Sequence, residues 1–95
     1  MFSKLKNFFA NNKNNLSSKD VLFLSKDDCH LCDEALGVLL QAKKIQNFNL
    51  EIIKIQEGDA WHSDYWDKIP VVFIAGRLAF KYRLNVQEFL LKLNR

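Results

Sequence analysis

The sequence lacks the features that mark membrane, nucleic-acid-binding and disulfide-rich proteins. No apolar run approaches the roughly 20 residues that cross a bilayer, and Phe8-Phe9-Ala10 is too short for the apolar part of a secretory signal. The chain has 14 basic and 11 acidic residues. Because the two signs are interleaved beyond Asp20, this balance does not require a nucleic-acid partner. We therefore expect no nucleic-acid binding, no membrane contact and a cytoplasmic location.

Cysteine is scarce as well, with two residues in the whole chain. In a reducing compartment we do not expect a permanent disulfide, and the spacing Cys29-His30-Leu31-Cys32 instead favours redox or metal chemistry. Structural zinc needs four ligands. His30 lies between the two cysteines and cannot easily share their metal, and His62 is the only other histidine. We therefore expect a redox pair without a bound metal.

Acidic residues are absent from positions 1–19, which hold four lysines and five of the nine asparagines. Phe2, Leu5 and Phe8 recur at helical spacing, which predicts a short amphipathic helix before a polar linker. Such a segment is compatible with a transit peptide or membrane-surface contact, although it has no arginine. The alternative, which we favour, is a helix packed on the domain or a mobile tail. We divide the chain into an extension, 1–19, and a domain, 20–95.

The first half of that domain has the pattern of a βαβ unit. Val21–Leu24 is a continuous apolar run, as in a strand buried on both faces. From Leu31 to Ile45, apolar residues recur at steps of three and four, which predicts one face of a helix of about four turns. A second strand is predicted over 50–56. The two strands should be parallel, with a right-handed crossover.

The second half predicts a hairpin and a closing helix. A short helix is predicted within 60–68, and Pro70 precedes a third strand over 71–74. After the turn at Gly76, a fourth strand runs over 78–82, with Leu78, Phe80 and Tyr82 expected on one face. Asn85 and Glu88 have capping-box spacing at the start of a helix over 86–93. The fold class is therefore α/β, a mixed four-stranded sheet flanked by helices in the order β-α-β-(α)-β-β-α.

The two cysteines lie where the first strand ends and the first long helix begins. Unpaired N–H groups and the positive end of the helix dipole favour the thiolate of a residue at the N-cap, which here is Cys29. Cys32 lies one turn later, where it can attack a mixed disulfide on Cys29. The neighbouring carboxylates oppose the thiolate; they are Asp27, Asp28, Asp33 and Glu34. We therefore expect a moderately lowered Cys29 pKa, with Cys29 as nucleophile and Cys32 as resolving thiol.

Two segments together, Ser25–Cys32 and Ile69-Pro70-Val71-Val72-Phe73-Ile74, resemble the glutaredoxin-like branch of the thioredoxin superfamily. The similarity covers Asp20 to Arg95. It implies a thioredoxin-like fold and a cis peptide bond between Ile69 and Pro70. It also implies that the backbone before this proline pairs with the backbone of the substrate. On that basis Ile69 and Pro70 are expected to bind substrate.

The resemblance also bears on glutathione as a co-substrate. Lys26 stands three residues before the nucleophile, where glutaredoxins often carry a lysine that meets a glutathione carboxylate, and a solvated surface lysine is the alternative. The usual C-P-[YF]-C motif is C-H-L-C here. The Gly-Gly and nearby Asp that bind glutathione in glutaredoxins are absent from 81–85. Glutathione is thus a possible co-substrate whose binding the sequence leaves open.

Several other side chains have two interpretations. A group of aromatic residues lies just before Pro70: Trp61, Tyr65 and Trp66, with His62 beside them. These side chains could line a peptide-binding site, but we expect them to be partly buried by packing. Arg77 and Arg83 could bind an anion, and solvated surface charge is the alternative. His30 could add a positive charge beside the thiols or be an exposed helix-start residue.

The predicted function is thiol–disulfide exchange through the Cys29–Cys32 dithiol. Its expected partners are a disulfide-containing protein or a glutathione mixed disulfide, together with a thiol reductant system that reopens the internal disulfide. The rival is a redox-inactive adaptor with the same fold and an unreactive Cys29.

Overall fold

A computed structural model describes residues 20–95 of the protein. The predicted extension, 1–19, and the alternatives for it lie outside the described residues. Within the described range there are four strands and three helices, in the order β1 Asp20–Ser25, α1 His30–Ile45, β2 Asn49–Lys54, α2 His62–Tyr65, β3 Val71–Ile74, β4 Arg77–Lys81 and α3 Val86–Leu93. This order confirms the prediction from periodicity.

The strands form one mixed sheet in the spatial order β2-β1-β3-β4. β1 pairs in parallel with β2, as expected for a βαβ unit, and antiparallel with β3. β3 and β4 form the predicted antiparallel hairpin. Ala75 and Gly76 occupy its two-residue turn, both with positive φ, which suits the twist of a tight hairpin. The thioredoxin-like fold is therefore present.

β1 is the central strand of the core. All six of its residues are buried, because β2 and β3 cover its edges and helices cover its faces. Val21 and Leu24 are fully buried, in keeping with a continuous apolar run rather than an alternating one. The carboxyl end of this strand leads through a short turn directly to the start of α1. The best-packed strand of the domain thus carries the cysteine pair at its end.

α1 and α3 are anchored against the same part of the core. The Phe89 ring of α3 is fully buried and lies 5.1 Å from the Phe48 ring and 6.3 Å from the Phe80 ring, centroid to centroid. Gln46 and Asn94 exchange two hydrogen bonds where the two helices end, at 2.8 and 2.9 Å. Burial of a phenylalanine contributes about 1.5–3 kcal/mol. These contacts hold the two helices in place on the sheet.

Two expectations about side-chain facing are wrong. The pairing of β4 with β3 shifts by one residue between Val72 and Phe73. As a result, Phe80 pairs with Val72, and Leu78 pairs with Phe73. The extra residue of this bulge puts Phe80 in the core and leaves Leu78 exposed, so the two side chains do not share a face. Ile45, at the end of α1, is also exposed, because the helix ends there and the chain turns away into β2.

The short helix α2 covers the other face of the sheet. Asp59 fixes the turn that leads into it, since its carboxylate accepts hydrogen bonds from the backbone N–H groups of Trp61 and His62 at 3.1 and 3.0 Å. The rings of Trp61 and Tyr65 pack on Phe73 of β3, with centroids 6.0 and 5.7 Å away. Trp61 and Tyr65 are therefore partly buried packing, as we expected. For Trp66 that expectation is wrong, because its side chain lies on the outside of α2 and is 54% exposed.

Candidate dithiol site

Cys29 is the N-cap of α1. Its backbone is extended, with φ −125° and ψ 103°, and its Sγ accepts a hydrogen bond from the backbone N–H of Cys32 at 3.1 Å. The backbone N–H of Asp33 bonds to the Cys29 carbonyl and closes the first turn. This is the usual capping arrangement, with sulfur in place of a side-chain oxygen. The sulfur therefore lies at the positive end of the helix dipole.

The two cysteines form a disulfide in this structure, with Cα atoms 5.1 Å apart. They differ in their surroundings: Cys29 is half-buried, while Cys32 is 2% exposed and belongs to the core. A reagent from solution therefore meets Cys29 first. Cys32 can reach the partner sulfur without moving the helix. One sulfur therefore lies towards solvent and the other lies inside the core.

Four carboxylates lie close to the pair in the sequence, and two of them have cationic partners. Asp27 pairs with Lys54 at 3.2 Å. Glu34 contacts His30 Nε2 at 2.9 Å and Arg83 Nη1 at 3.7 Å. These pairs are exposed, so each contributes little to stability, but they offset the negative charge beside the sulfur. His30 is exposed, at 84% for its side chain, as an ordinary helix-start residue is.

The segment before β3 reaches the same end of the sheet. Leu24 pairs with Val71 in the antiparallel register, so Pro70 lies beside the end of β1, where the chain leaves for Cys29. The peptide bond between Ile69 and Pro70 is cis, as the resemblance implies. Ile69 makes no hydrogen bond through its backbone N–H or C=O to any residue within 20–95. A free backbone donor and acceptor can pair with an extended chain.

Lys26 and the loop after β4 complete the surroundings. Lys26 is exposed in the turn between β1 and α1, and its side chain has no partner in the described part of the chain. Tyr82 lies just beyond β4. Its backbone N–H donates to the Pro70 carbonyl at 2.8 Å and its hydroxyl donates to the Asp67 carbonyl at 3.1 Å. Its ring therefore spans the segment that holds Ile69.

Tyr82 has a left-handed backbone, with φ 69°. This conformation costs a non-glycine residue about 1–2 kcal/mol. It lies in the stretch 81–85, where the resemblance to glutaredoxins would place the Gly-Gly that is missing here. Sequence reasoning did not identify Tyr82 as a site residue, because a tyrosine gives no local signal for this conformation. The sequence feature that pointed to this loop was the absence of the Gly-Gly pair from residues 81–85.

A cleft of about 150 Å³ lies between α1 and the loop after β4. One wall comes from the first turns of α1 and the other from the loop; the lining residues are Leu31, Glu34, Ala35, Val38, Tyr82, Arg83 and Leu84. The Glu34–Arg83 pair connects the two walls. Leu31 lies between the two cysteines in the chain, so the cleft begins at the first turn of α1. Sequence reasoning considered Arg83 as an anion ligand, and its observed partner is Glu34.

Other possible sites are reported for the described residues alone. Between residues 20 and 95, no three side chains of His, Cys, Asp or Glu gather closely enough to hold a metal ion. No helix in this range is long and apolar enough to cross a bilayer. Arg77 is exposed at the hairpin turn, remote in the sheet from the end that carries Cys29. His62 stacks on Trp66, with ring centroids 6.4 Å apart.

Comparisons with known proteins agree with this geometry. The glutaredoxin-like domain family (DUF836) matches residues 20–94. A solved structure, that of the structural-genomics target protein XcR50 from X. campestris, superimposes with a TM-score of 0.66 and 27% sequence identity. The match covers 78% of this chain and 95% of that one. No significant match was found among curated proteins. With a disulfide-forming C-x-x-C pair at the start of a helix, the chain belongs to the glutaredoxin-like domain family DUF836.

Proposed function

We propose that this protein is a dithiol oxidoreductase that reduces disulfides or mixed disulfides, with Cys29 as nucleophile and Cys32 as resolving thiol. One observation supports this most strongly. The half-buried Cys29 sulfur accepts a backbone N–H at the mouth of α1, and the buried Cys32 sulfur is within bonding reach. The same N–H groups that cap the helix would favour a thiolate on Cys29.

The reaction balances over the two sulfurs. The Cys29 thiolate attacks one substrate sulfur, the substrate S–S bond breaks, and the departing thiolate takes a proton from water. Cys32, as a thiolate, then attacks the Cys29 sulfur and releases the second substrate thiol. Two electrons pass from the dithiol to the substrate, and the Cys29–Cys32 disulfide remains. An external thiol reductant, either glutathione or a dithiol of the thioredoxin kind, supplies two electrons to reopen it.

Substrate binding would rest on backbone pairing. The unpaired N–H and C=O of Ile69 would bond to an extended substrate, with Pro70 holding that segment beside the dithiol. Lys26, exposed and without a partner among residues 20–95, would meet a substrate carboxylate. We assign no resident metal or organic cofactor to this reaction. A reducing compartment such as the cytoplasm would keep the dithiol supplied with electrons.

The proposal is tested with the full chain and two serine variants. Cys29→Ser should reduce a protein disulfide at the background rate with either glutathione or a thioredoxin system. Cys32→Ser should retain activity with glutathione alone if a monothiol route operates, and lose it with both donors if the reaction needs the dithiol. A Cys29→Ser variant as active as the wild type would refute the nucleophile assignment.

The rate of Cys29 alkylation, measured against pH in the reduced protein, distinguishes the oxidoreductase from the redox-inactive adaptor. A free cysteine has a pKa of about 8.5. If the helix start lowers the Cys29 pKa, the alkylation rate is half-maximal below that pH. A midpoint above it would indicate an unreactive thiol and favour an adaptor. Cys32→Ser is the suitable background, because it leaves a single thiol to follow.

A further inference from the structure

The cleft along the first turns of α1 has no role in the exchange steps described above. It is bounded by α1 on one side and by Tyr82, Arg83 and Leu84 on the other. We propose that it binds an aliphatic side chain next to the attacked cysteine of a polypeptide substrate. This inference rests on the proposed function and extends it to the substrate class.

The lining of the cleft favours an uncharged occupant. Leu31, Val38 and Leu84 are half-buried aliphatic side chains, and Ala35 forms the floor. The two charged residues of the lining, Glu34 and Arg83, pair with each other at 3.7 Å. Because these two charges offset each other, the lining has no net charge that would attract an ionic group. An aliphatic group would replace water on apolar walls without disturbing that pair.

The size of the cleft suits one side chain. An apolar cavity of about 150 Å³ holds a group the size of benzene, and this cleft has about that volume. A leucine, isoleucine or methionine side chain fits this space. The cleft is open on one side, so only part of the side-chain surface would be removed from water, and the gain would be below that of full burial.

The position of the cleft links it to the proposed substrate backbone. Tyr82 is bonded through its N–H to Pro70, the residue after Ile69. A strand paired with Ile69 advances about 3.3 Å per residue. The side chain of a residue next to the substrate cysteine would therefore come within reach of the Tyr82 wall. The hydroxyl bond from Tyr82 to Asp67 fixes that wall despite the left-handed backbone.

Two synthetic heptapeptides test the inference in single-turnover reactions with the reduced full chain. Each carries a central cysteine in a mixed disulfide with the same small thiol, flanked on both sides by leucine in one peptide and by serine in the other. We expect a second-order rate constant about tenfold higher for the leucine peptide, which corresponds to about 1.4 kcal/mol. A ratio near one would overturn the inference.

Substitutions of residues that line the cleft provide the second part of the test. Val38→Phe fills the cleft, and Leu31→Ser removes apolar wall; in each, the leucine-to-serine ratio should fall below about threefold. The matched control is Leu40→Phe, on the same helix at an exposed position outside the cleft, which should keep the wild-type ratio. Circular dichroism establishes that each variant is folded. A wild-type ratio in both cleft variants would overturn the inference.

This experiment separates the two levels of the proposal. If both peptides are reduced at equal rates, the redox function stands and the cleft assignment fails. If neither peptide mixed disulfide reacts with the reduced protein, the proposed function itself fails, and the cleft assignment fails with it. If the leucine peptide is preferred and the cleft variants abolish that preference, both stand.

Discussion

The starts of α1 and α3 have the same capping hydrogen bond and different chemistry. Both cap residues are extended, with φ −125° and ψ 103° at Cys29 and φ −128° and ψ 164° at Asn85. In both, the cap side chain accepts from the N–H three residues on: Cys29 Sγ from Cys32 at 3.1 Å, and Asn85 Oδ1 from Glu88 at 2.9 Å. The C-x-x-C spacing is thus also the spacing of a helix cap. The same local geometry serves stability in α3 and, in our proposal, reactivity in α1.

The difference lies in the acceptor atom. Asparagine is among the best N-cap residues, while a thiol sulfur is a weak acceptor. α1 therefore begins with a cap that is poor for stability and suited to a thiolate. α1 is long, at 16 residues, and packs along much of its length, whereas α3 has eight residues. The longer helix can tolerate a weak cap, which leaves its first position free for chemistry.

The largest expected effect comes from replacing each N-cap residue, Cys29 or Asn85, with serine in separate variants. Cys29→Ser retains a capping oxygen but removes the nucleophile, so disulfide reduction should fall to the background rate with little loss of stability. Asn85→Ser should keep full activity, because serine also caps well. Turnover of a protein disulfide and urea unfolding measure both quantities. Loss of activity in Asn85→Ser would show that the two helix starts are not functionally distinct.

The next largest effect concerns what anchors α3. Phe89→Ala should lower the free energy of unfolding by about 3–5 kcal/mol, because a fully buried ring in contact with Phe48 and Phe80 is lost. The exposed Leu91 of the same helix provides the control, since Leu91→Ala should change stability by less than about 0.5 kcal/mol. Similar losses in both variants would mean that α3 is not held by its buried face.

A smaller effect distinguishes the caps by stability alone. Asn85→Ala should cost about 1 kcal/mol, because the Glu88 N–H loses its acceptor. Cys29→Ala, compared with the reduced wild-type protein at a pH low enough to keep Cys29 protonated, should cost less, because a neutral thiol is the weaker acceptor. Urea unfolding of the reduced proteins measures both. A larger loss for Cys29→Ala than for Asn85→Ala would contradict the ranking of the two caps.

The smallest effect tests the charges beside each cap. Asp28 precedes Cys29 and has a left-handed backbone, φ 54°, which asparagine tolerates equally well. Asp28→Asn should lower the Cys29 pKa, and with it the pH midpoint of alkylation, by about a few tenths of a unit, because a carboxylate near the thiolate is removed. Glu88→Gln, at the other helix start, should leave this midpoint unchanged. An upward shift in Asp28→Asn would contradict the electrostatic account.

The elements of the fold followed from local pattern. Local sequence patterns predicted β1, α1 and α3 because each pattern involves residues that are close together in the chain. These patterns are the apolar run of β1, the helical spacing of α1 and the apolar stripe over Val86–Leu93. The position of Cys29 at a helix start was predicted in the same way. The facing of Leu78 was not, because the bulge in β4 depends on pairing with β3, which no stretch of neighbouring residues encodes.

By itself, then, the sequence determined the order of the elements, the βαβ unit and the spacing that makes Cys29 a cap and Cys32 its partner. Tertiary structure decided which sulfur is buried, the left-handed backbone of Tyr82 and the Glu34–Arg83 pair across the cleft. The physical reason is the separation along the chain of the residues that interact. Periodicity and capping act within a few residues, whereas burial, register and the shape of a cleft depend on segments that meet only when the sheet has formed.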